Sequence, residues 1–78
     1  MSGQIDIIDF KGIRYTLDVD ENDIIESIKE KLSDILNIPA YNQRILYRAK
    51  ELGDNETLGN HMKINKNNKN CLNVVEKL

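Results

Sequence analysis

"LDVDENDIIESIKEKL", residues 17–32, changes its apolar period partway along. Leu17 and Val19 alternate with Asp18 and Asp20 as a half-buried strand does, whereas Ile25, Ile28 and Leu32, continued by Ile35 and Leu36, recur at helical spacing. Glu26, Lys29, Glu30, Lys31, Ser33 and Asp34 fill the remaining positions, so the stretch predicts an amphipathic helix of about three turns directly after a strand. Asn22 or Asp23 can cap its start, and Glu26 in the first turn is favoured by the helix dipole. Asn37 suits the carboxyl-terminal cap, and Pro39 prevents the helix from continuing.

Upstream, residues 4–10 alternate, with Ile5 and Ile7 on one face and Gln4, Asp6, Ile8 and Phe10 on the other. Lys11 and Gly12 make a turn, after which Ile13, Tyr15, Leu17 and Val19 share a face opposite Arg14, Thr16 and Asp18. Two strands joined by a short glycine-containing loop form a hairpin. Downstream, Arg44 to Tyr47 read as a third strand and Lys50 to Leu52 as a brief fourth. A loop over "GDNETLGN" leads to a short helical turn around Leu58 and Met62. The polar run "NKNNKN", residues 65–70, breaks both periods and reads as a loop; alternation then returns with Leu72 and Val74 on one face and Cys71, Asn73 and Val75 on the other.

With 78 residues the chain supports one domain, which buries only roughly 60% of the surface of the unfolded chain. A composition 40% apolar and 31% charged is that of an ordinary globular protein. Eleven basic against 13 acidic residues give a net charge of −2, which offers no global attraction for nucleic acid or anionic lipid, so charged recognition has to be local. The single cysteine, Cys71, rules out an internal disulfide and a cysteine-rich metal site and fits a reducing compartment. Asp6 and Asp9 interrupt the amino-terminal apolar run as no signal peptide or membrane span would allow, and the chain reads as cytoplasmic or nuclear.

Strand, strand, helix, strand, short strand, strand is the order of an α+β fold in which a mixed sheet of four to five strands packs on one main helix, the β-grasp arrangement. The chain also resembles ubiquitin from Gln4 to Leu78, through "LDVDENDIIESIKEKL", "IPAYNQRILY", "KEL" before the loop, "DNETL" and the closing "LNVV". Two features depart from that pattern: the loop before the last strand is about two residues longer, and Ala40 stands where ubiquitin has a second proline. No glycine follows Gly59, so the chain as written lacks the Gly-Gly tail by which ubiquitin and its conjugated relatives are joined to lysine.

If Ile45 and Tyr47 face the helix, then Arg44 and Leu46 face solvent. The resemblance matches Phe10, Leu46 and Val75 to the hydrophobic patch that ubiquitin presents to most partners, with Arg44 and Lys50 as its basic border and Ile8 enlarging it; Ala49 and Asn73 complete the expected partner-binding set. The partners implied are proteins: ubiquitin-interacting helices, ubiquitin-binding domains or a proteasomal receptor, bound by a monomer without nucleic acid, membrane, cofactor or metal. Lys29 matches a largely buried lysine paired with an aspartate, for which Asp54 is in place. His61 and Cys71 are the one nucleophile and base pair available, but His61 matches a tyrosine that braces a loop and Cys71 opens the last strand, so both read as structural and the chain as no enzyme. Lys63, Lys66 and Lys69 lack the interleaved aromatics of a nucleic-acid surface.

The leading expectation is a non-conjugated ubiquitin-like domain, residues 1–78, at the amino terminus of a longer adaptor that docks on the proteasome or on ubiquitin-binding partners. The alternatives are a regulatory ubiquitin-like domain of a ubiquitin-pathway enzyme and a modifier whose glycine tail lies beyond Leu78.

Overall fold

The period switch at Asp20 marks a real change of structure: α1 (Ile25–Leu36) follows a strand after a four-residue link and lies across a sheet. The computed structural model describes residues 2–65 and 70–77. Their strands are β1 (Ser2–Ile8), β2 (Arg14–Asp20), β3 (Gln43–Tyr47), β4 (Lys50–Glu51) and β5 (Asn70–Glu76), with short 3-10 turns at Ala40–Asn42 and Leu58–Asn60. The "NKNNKN" reading falls mostly on residues 66–69, outside the described residues; Asn70 already belongs to β5.

The sheet order is β2-β1-β5-β3-β4, with β1 and β5 parallel and the other neighbours antiparallel. Its inner face carries Ile5, Ile7, Leu17, Val19, Ile45, Leu72 and Val74, all buried, against Ile25, Ile28 and Leu32 of α1. Leu52, Leu58, Met62 and Ile64, from the segment between β4 and β5, complete the same core. This is the α+β, β-grasp fold read from the sequence.

Both ends of α1 are held, but not by the residues expected at its start. Asp23 Oδ2 accepts the Asp20 N–H at 2.9 Å and so is committed to the turn before the helix, while Asn22 donates its backbone N–H to Asp20 Oδ1 at 2.9 Å. The residue at the cap position, Ile24, has no polar side chain, and the free N–H groups of Ile25 and Glu26 are taken by the carbonyls of Glu56 (2.9 Å) and Asp54 (3.1 Å). A distant loop thus caps the helix. At the other end Asn37 adopts a left-handed conformation and its N–H bonds Ser33 O, as its type allows.

The loop and helix are joined again by Lys29, only 4% exposed, whose Nζ lies 2.5 Å from Asp54 Oδ1. Gln43, fully buried on β3, donates through Nε2 to the carbonyls of Lys29 and Ile38, both at 2.9 Å, and so ties the sheet to the helix and to the segment after it.

Three apolar residues fall differently from the pattern. β1 ends at Ile8, because Asp9 turns inward: its Oδ1 accepts the N–H groups of Lys11 (2.8 Å) and Ile13 (2.9 Å), and Gly12 supplies the positive φ of 82° that this turn requires. Phe10 therefore sits in the turn rather than in the strand. Ile13 precedes β2 and is half exposed, as is Ile35 near the end of α1, whereas its neighbour Leu36 packs against the core.

Leu32 has no exposed surface, and the space between α1 and the sheet depends on it. Leu32→Ala is expected to destabilise the fold by about 2–5 kcal/mol, read as a lowered denaturation midpoint with an unchanged m-value.

Candidate functional site

Strand register decides which side chains share the outer face of the sheet, the one turned away from α1. Arg14 pairs with Ile8, Ile8 with Asn73, Asn73 with Leu46, and Leu46 with Glu51. Paired residues project to the same face, so these five form one row that crosses every strand. Val75 and Arg44 are paired one step along, on the same face. Ile8, Leu46 and Val75 are half-buried and Arg44 and Asn73 exposed, so the apolar groups form a shallow, solvent-accessible surface around Asn73.

Six of the residues read from the sequence as partner-binding, Ile8, Arg44, Leu46, Ala49, Asn73 and Val75, thus lie on this face or at the turn ending β3. The other two fall off it: Phe10 lies in a turn, and Lys50, paired with the core-packed Tyr47, projects to the opposite face from Leu46. Phe10 is 54% exposed in the β1–β2 turn, with Lys11 Nζ 5.7 Å from its ring centre. Lys50 pairs with Tyr47, whereas Glu51 stands opposite Leu46.

The β3–β4 turn carries strain. Arg48 and Ala49 both have positive φ, 52° and 67°, the conformation of a tight hairpin turn that glycine or asparagine normally supplies. The Arg48 guanidinium lies 5.2 Å from the centre of the Tyr47 ring, which offsets part of the cost.

The outer face of β1 and β2 differs from that of β3 and β5. Asp6, 6% exposed, accepts Arg14 Nη1 at 2.7 Å and Thr16 Oγ1 at 3.0 Å, and Gln4 donates to Asp18 at 3.0 Å. The face is therefore part polar network and part apolar patch. Alternation puts Asp6 and Arg14 on the outer face but says nothing of their pairing; its one trace in the sequence is their opposite charge on facing strands.

His61 and Cys71 have separate settings. His61 Nε2 lies 2.8 Å from Glu56 Oε2, and Glu56 Oε1 accepts the Gly53 N–H at 2.6 Å, so His61 braces the loop that caps α1. The Gly53 N–H, and after it the His61 contact, hold the Glu56 carboxyl below the usual glutamate range. Cys71 lies on the outer face in register with Asp6. Tyr15 donates its hydroxyl to Asp9 Oδ2 at 3.3 Å, and burial followed by the Asp9 charge pushes its pKa up.

The ubiquitin family matches residues 5–77. Ubiquitin-like protein 4A of Rattus norvegicus is 34% identical over 74 residues, 95% of this chain and 45% of the relative, and the Mus musculus protein of that name matches equally. Ubiquitin-like protein 4A of Danio rerio is 39% identical over 51 residues, 65% of this chain and 32% of the relative. The chain spans 32% to 45% of the length of these curated relatives.

Two substitutions test this geometry. Ala49→Gly removes a left-handed cost of about 1–2 kcal/mol and returns about 0.5–1 kcal/mol through the freer unfolded chain, so a net gain of about 0.5–1 kcal/mol is expected in urea denaturation. For Glu56, a folded pKa below the unfolded one means stability that is present above the unfolded pKa and lost as pH falls through the folded one. Glu56→Gln is therefore expected to lower stability at neutral pH and to flatten its decline on acidification through the carboxylate range, checked by urea titrations at a series of pH values.

Proposed function

Because this chain belongs to the ubiquitin family, we propose that it is a protein-interaction domain whose outer sheet face docks a larger protein onto the proteasome or onto ubiquitin-binding partners. The observation that carries this reading is the half-buried apolar group Ile8, Leu46 and Val75 gathered around Asn73, with Arg44 exposed beside it. Apolar area of this kind contributes about 25 cal/mol per Å² when a partner covers it, and the Arg44 cation raises the rate of encounter with acidic partners. The role is recognition rather than catalysis, in the cytoplasm or nucleus where a free Cys71 is at home. Partners suited to a shallow face are short amphipathic helices or small helical bundles, held by apolar anchors and a charged rim.

Titration of the isotope-labelled chain with a ubiquitin-interacting helix tests the proposal. Chemical-shift changes are expected at Ile8, Leu46, Asn73 and Val75, and Leu46→Ala is expected to weaken binding about tenfold, or 1.4 kcal/mol, with little change in thermal stability. Arg44→Glu should weaken binding more at low salt than at high, since a rim charge acts through screened attraction. Shifts confined to α1 would overturn the reading.

A further inference from the structure

β2 is the long edge of the sheet. It pairs with β1 on one side only and runs for seven residues, whereas β4 at the opposite edge has two. Edge strands are ordinarily blunted by proline, by a bulge or by an inward charge. β2 has neither proline nor glycine, and its register with β1 is unbroken from Arg14 to Asp20.

The direction of its backbone groups follows from Ile13. The Ile13 carbonyl accepts the Asp9 N–H at 3.0 Å and the Ile13 N–H goes to Asp9 Oδ1 at 2.9 Å, so both groups turn toward β1. Along an antiparallel strand these groups alternate sides, so those of Tyr15, Leu17 and Val19 face β1 while those of Arg14, Thr16, Asp18 and Asp20 point away from the sheet. Asp20 is closed off, because Asp23 Oδ2 accepts its N–H at 2.9 Å and the Asp23 N–H bonds its carbonyl at 3.0 Å. The Asp18 carbonyl meets the tip of Lys31 at 3.3 Å, a side chain 48% exposed that a backbone N–H can displace. Among the described residues, nothing takes the backbone groups of Arg14 and Thr16 or the Asp18 N–H.

We propose that this edge joins the same edge of a second copy of the chain, in an antiparallel ladder with its two-fold axis at Thr16. Three pairs then exchange N–H···O bonds: Arg14 with Asp18, Thr16 with Thr16, and Asp18 with Arg14. Paired residues share a face, so the Arg14 guanidinium of each copy stands opposite the Asp18 carboxylate of the other, and Tyr15 stands opposite Leu17 on the inner face. Opposite charges and threonine pairs are favourable cross-strand neighbours. Other registers do worse. An axis at Arg14 or at Asp18 sets like charges against each other. One at Tyr15 carries Asp18 past the strand to Gly12, and one at Leu17 sets Arg14 against Asp20, whose backbone groups are taken. Asp6 holds only Nη1 of Arg14 and Gln4 bonds only Oδ1 of Asp18, so donors and an acceptor oxygen remain for the second copy.

So short a ladder buries less than the roughly 1,200 Å² of a stable interface, so the dimer is weak and the dilute chain monomeric. The axis is perpendicular to the sheet, and the two five-stranded sheets run on as one with both outer faces on the same side. Ile8, Leu46 and Val75 take no part, so the pairing is independent of the docking role proposed above.

The chain is compared at about 20 μM and about 1 mM, a span suited to a weak interface. At the higher concentration the sedimenting mass is expected to rise toward that of two chains, and amide exchange to slow at Arg14, Thr16 and Asp18. In a mixture of isotope-labelled and unlabelled wild-type chains, the α-protons of Tyr15 and Leu17 are expected in contact between copies, since such pairs bring their Cα atoms to about 4.5 Å. Asp18→Lys, which sets a second cation opposite Arg14, is expected to weaken the dimer about tenfold with little change in thermal midpoint. Mixed with Arg14→Glu, it should recover the dimer that neither variant forms alone; should Arg14→Glu fail to fold beside Asp6, the contact between wild-type copies decides. A chain still monomeric at the higher concentration, contacts between copies at Leu46 and Val75 instead, or an unchanged dimer in Asp18→Lys overturns the inference. So does an extended peptide that protects the β2 amides of a chain that does not self-associate, which would assign the edge to a strand of another protein.

Discussion

The parallel pairing of β1 with β5 is the interaction on which the rest depends. Residues 5–8 hydrogen-bond to residues 70–73, so nearly the whole sequence separates the two partners. β5 then lies in the middle of the sheet and joins the amino-terminal hairpin to β3. Without it the molecule would be a hairpin on one side and a helix with two short strands on the other, each with one apolar face uncovered. Closing so long a loop costs chain entropy before any contact forms, and the buried set Ile5, Ile7, Ile45, Leu72 and Val74 offsets that cost only when all three strands are in place. The same pairing assembles the outer face, because Ile8 and Leu46 come from different halves of the chain and meet over Asn73.

A second long-range connection fixes the helix. The carbonyls of Asp54 and Glu56 cap its first turn, Asp54 neutralises the buried Lys29, and Gln43 bonds the carbonyl of Lys29 from the sheet side. Lys29 in its buried position would be costly without Asp54, so the ion pair favours one placement of the loop. Glu56, held by Gly53 and His61, keeps the loop in the shape that presents those carbonyls. Helix position, loop shape and sheet are thus coupled through polar groups rather than through apolar contact alone.

What periodicity encodes was legible in the sequence. The alternations around Ile5 and Ile7, Leu17 and Val19, and Leu72 and Val74, together with the helical spacing of Ile25, Ile28 and Leu32, place the same residues that the core contains. The outer-face positions of Leu46 and Val75 follow from the same alternation. Features outside any period were not legible from pattern. Asp9 turns inward and ends β1 two residues early, which moves Phe10 into the turn. The helix cap comes from carbonyls some thirty residues away, which no local signal records. Alternation puts Asp6 on the face of Ile8, but only the register shows that Arg14 stands opposite Ile8 and within reach of Asp6.

The division of the outer face has a physical reason. An apolar surface running the full width of the sheet would favour association of one copy with another, and soluble monomers rarely expose apolar patches beyond a few hundred Å². The Gln4–Asp18 and Asp6–Arg14–Thr16 contacts fill the outer face of β1 and β2 with satisfied polar groups, so the apolar part is confined to Ile8, Leu46 and Val75. The inner face already supplies the core, and the fold therefore does not need these three side chains buried further. A surface spared from folding in this way can be covered without competing with the sheet.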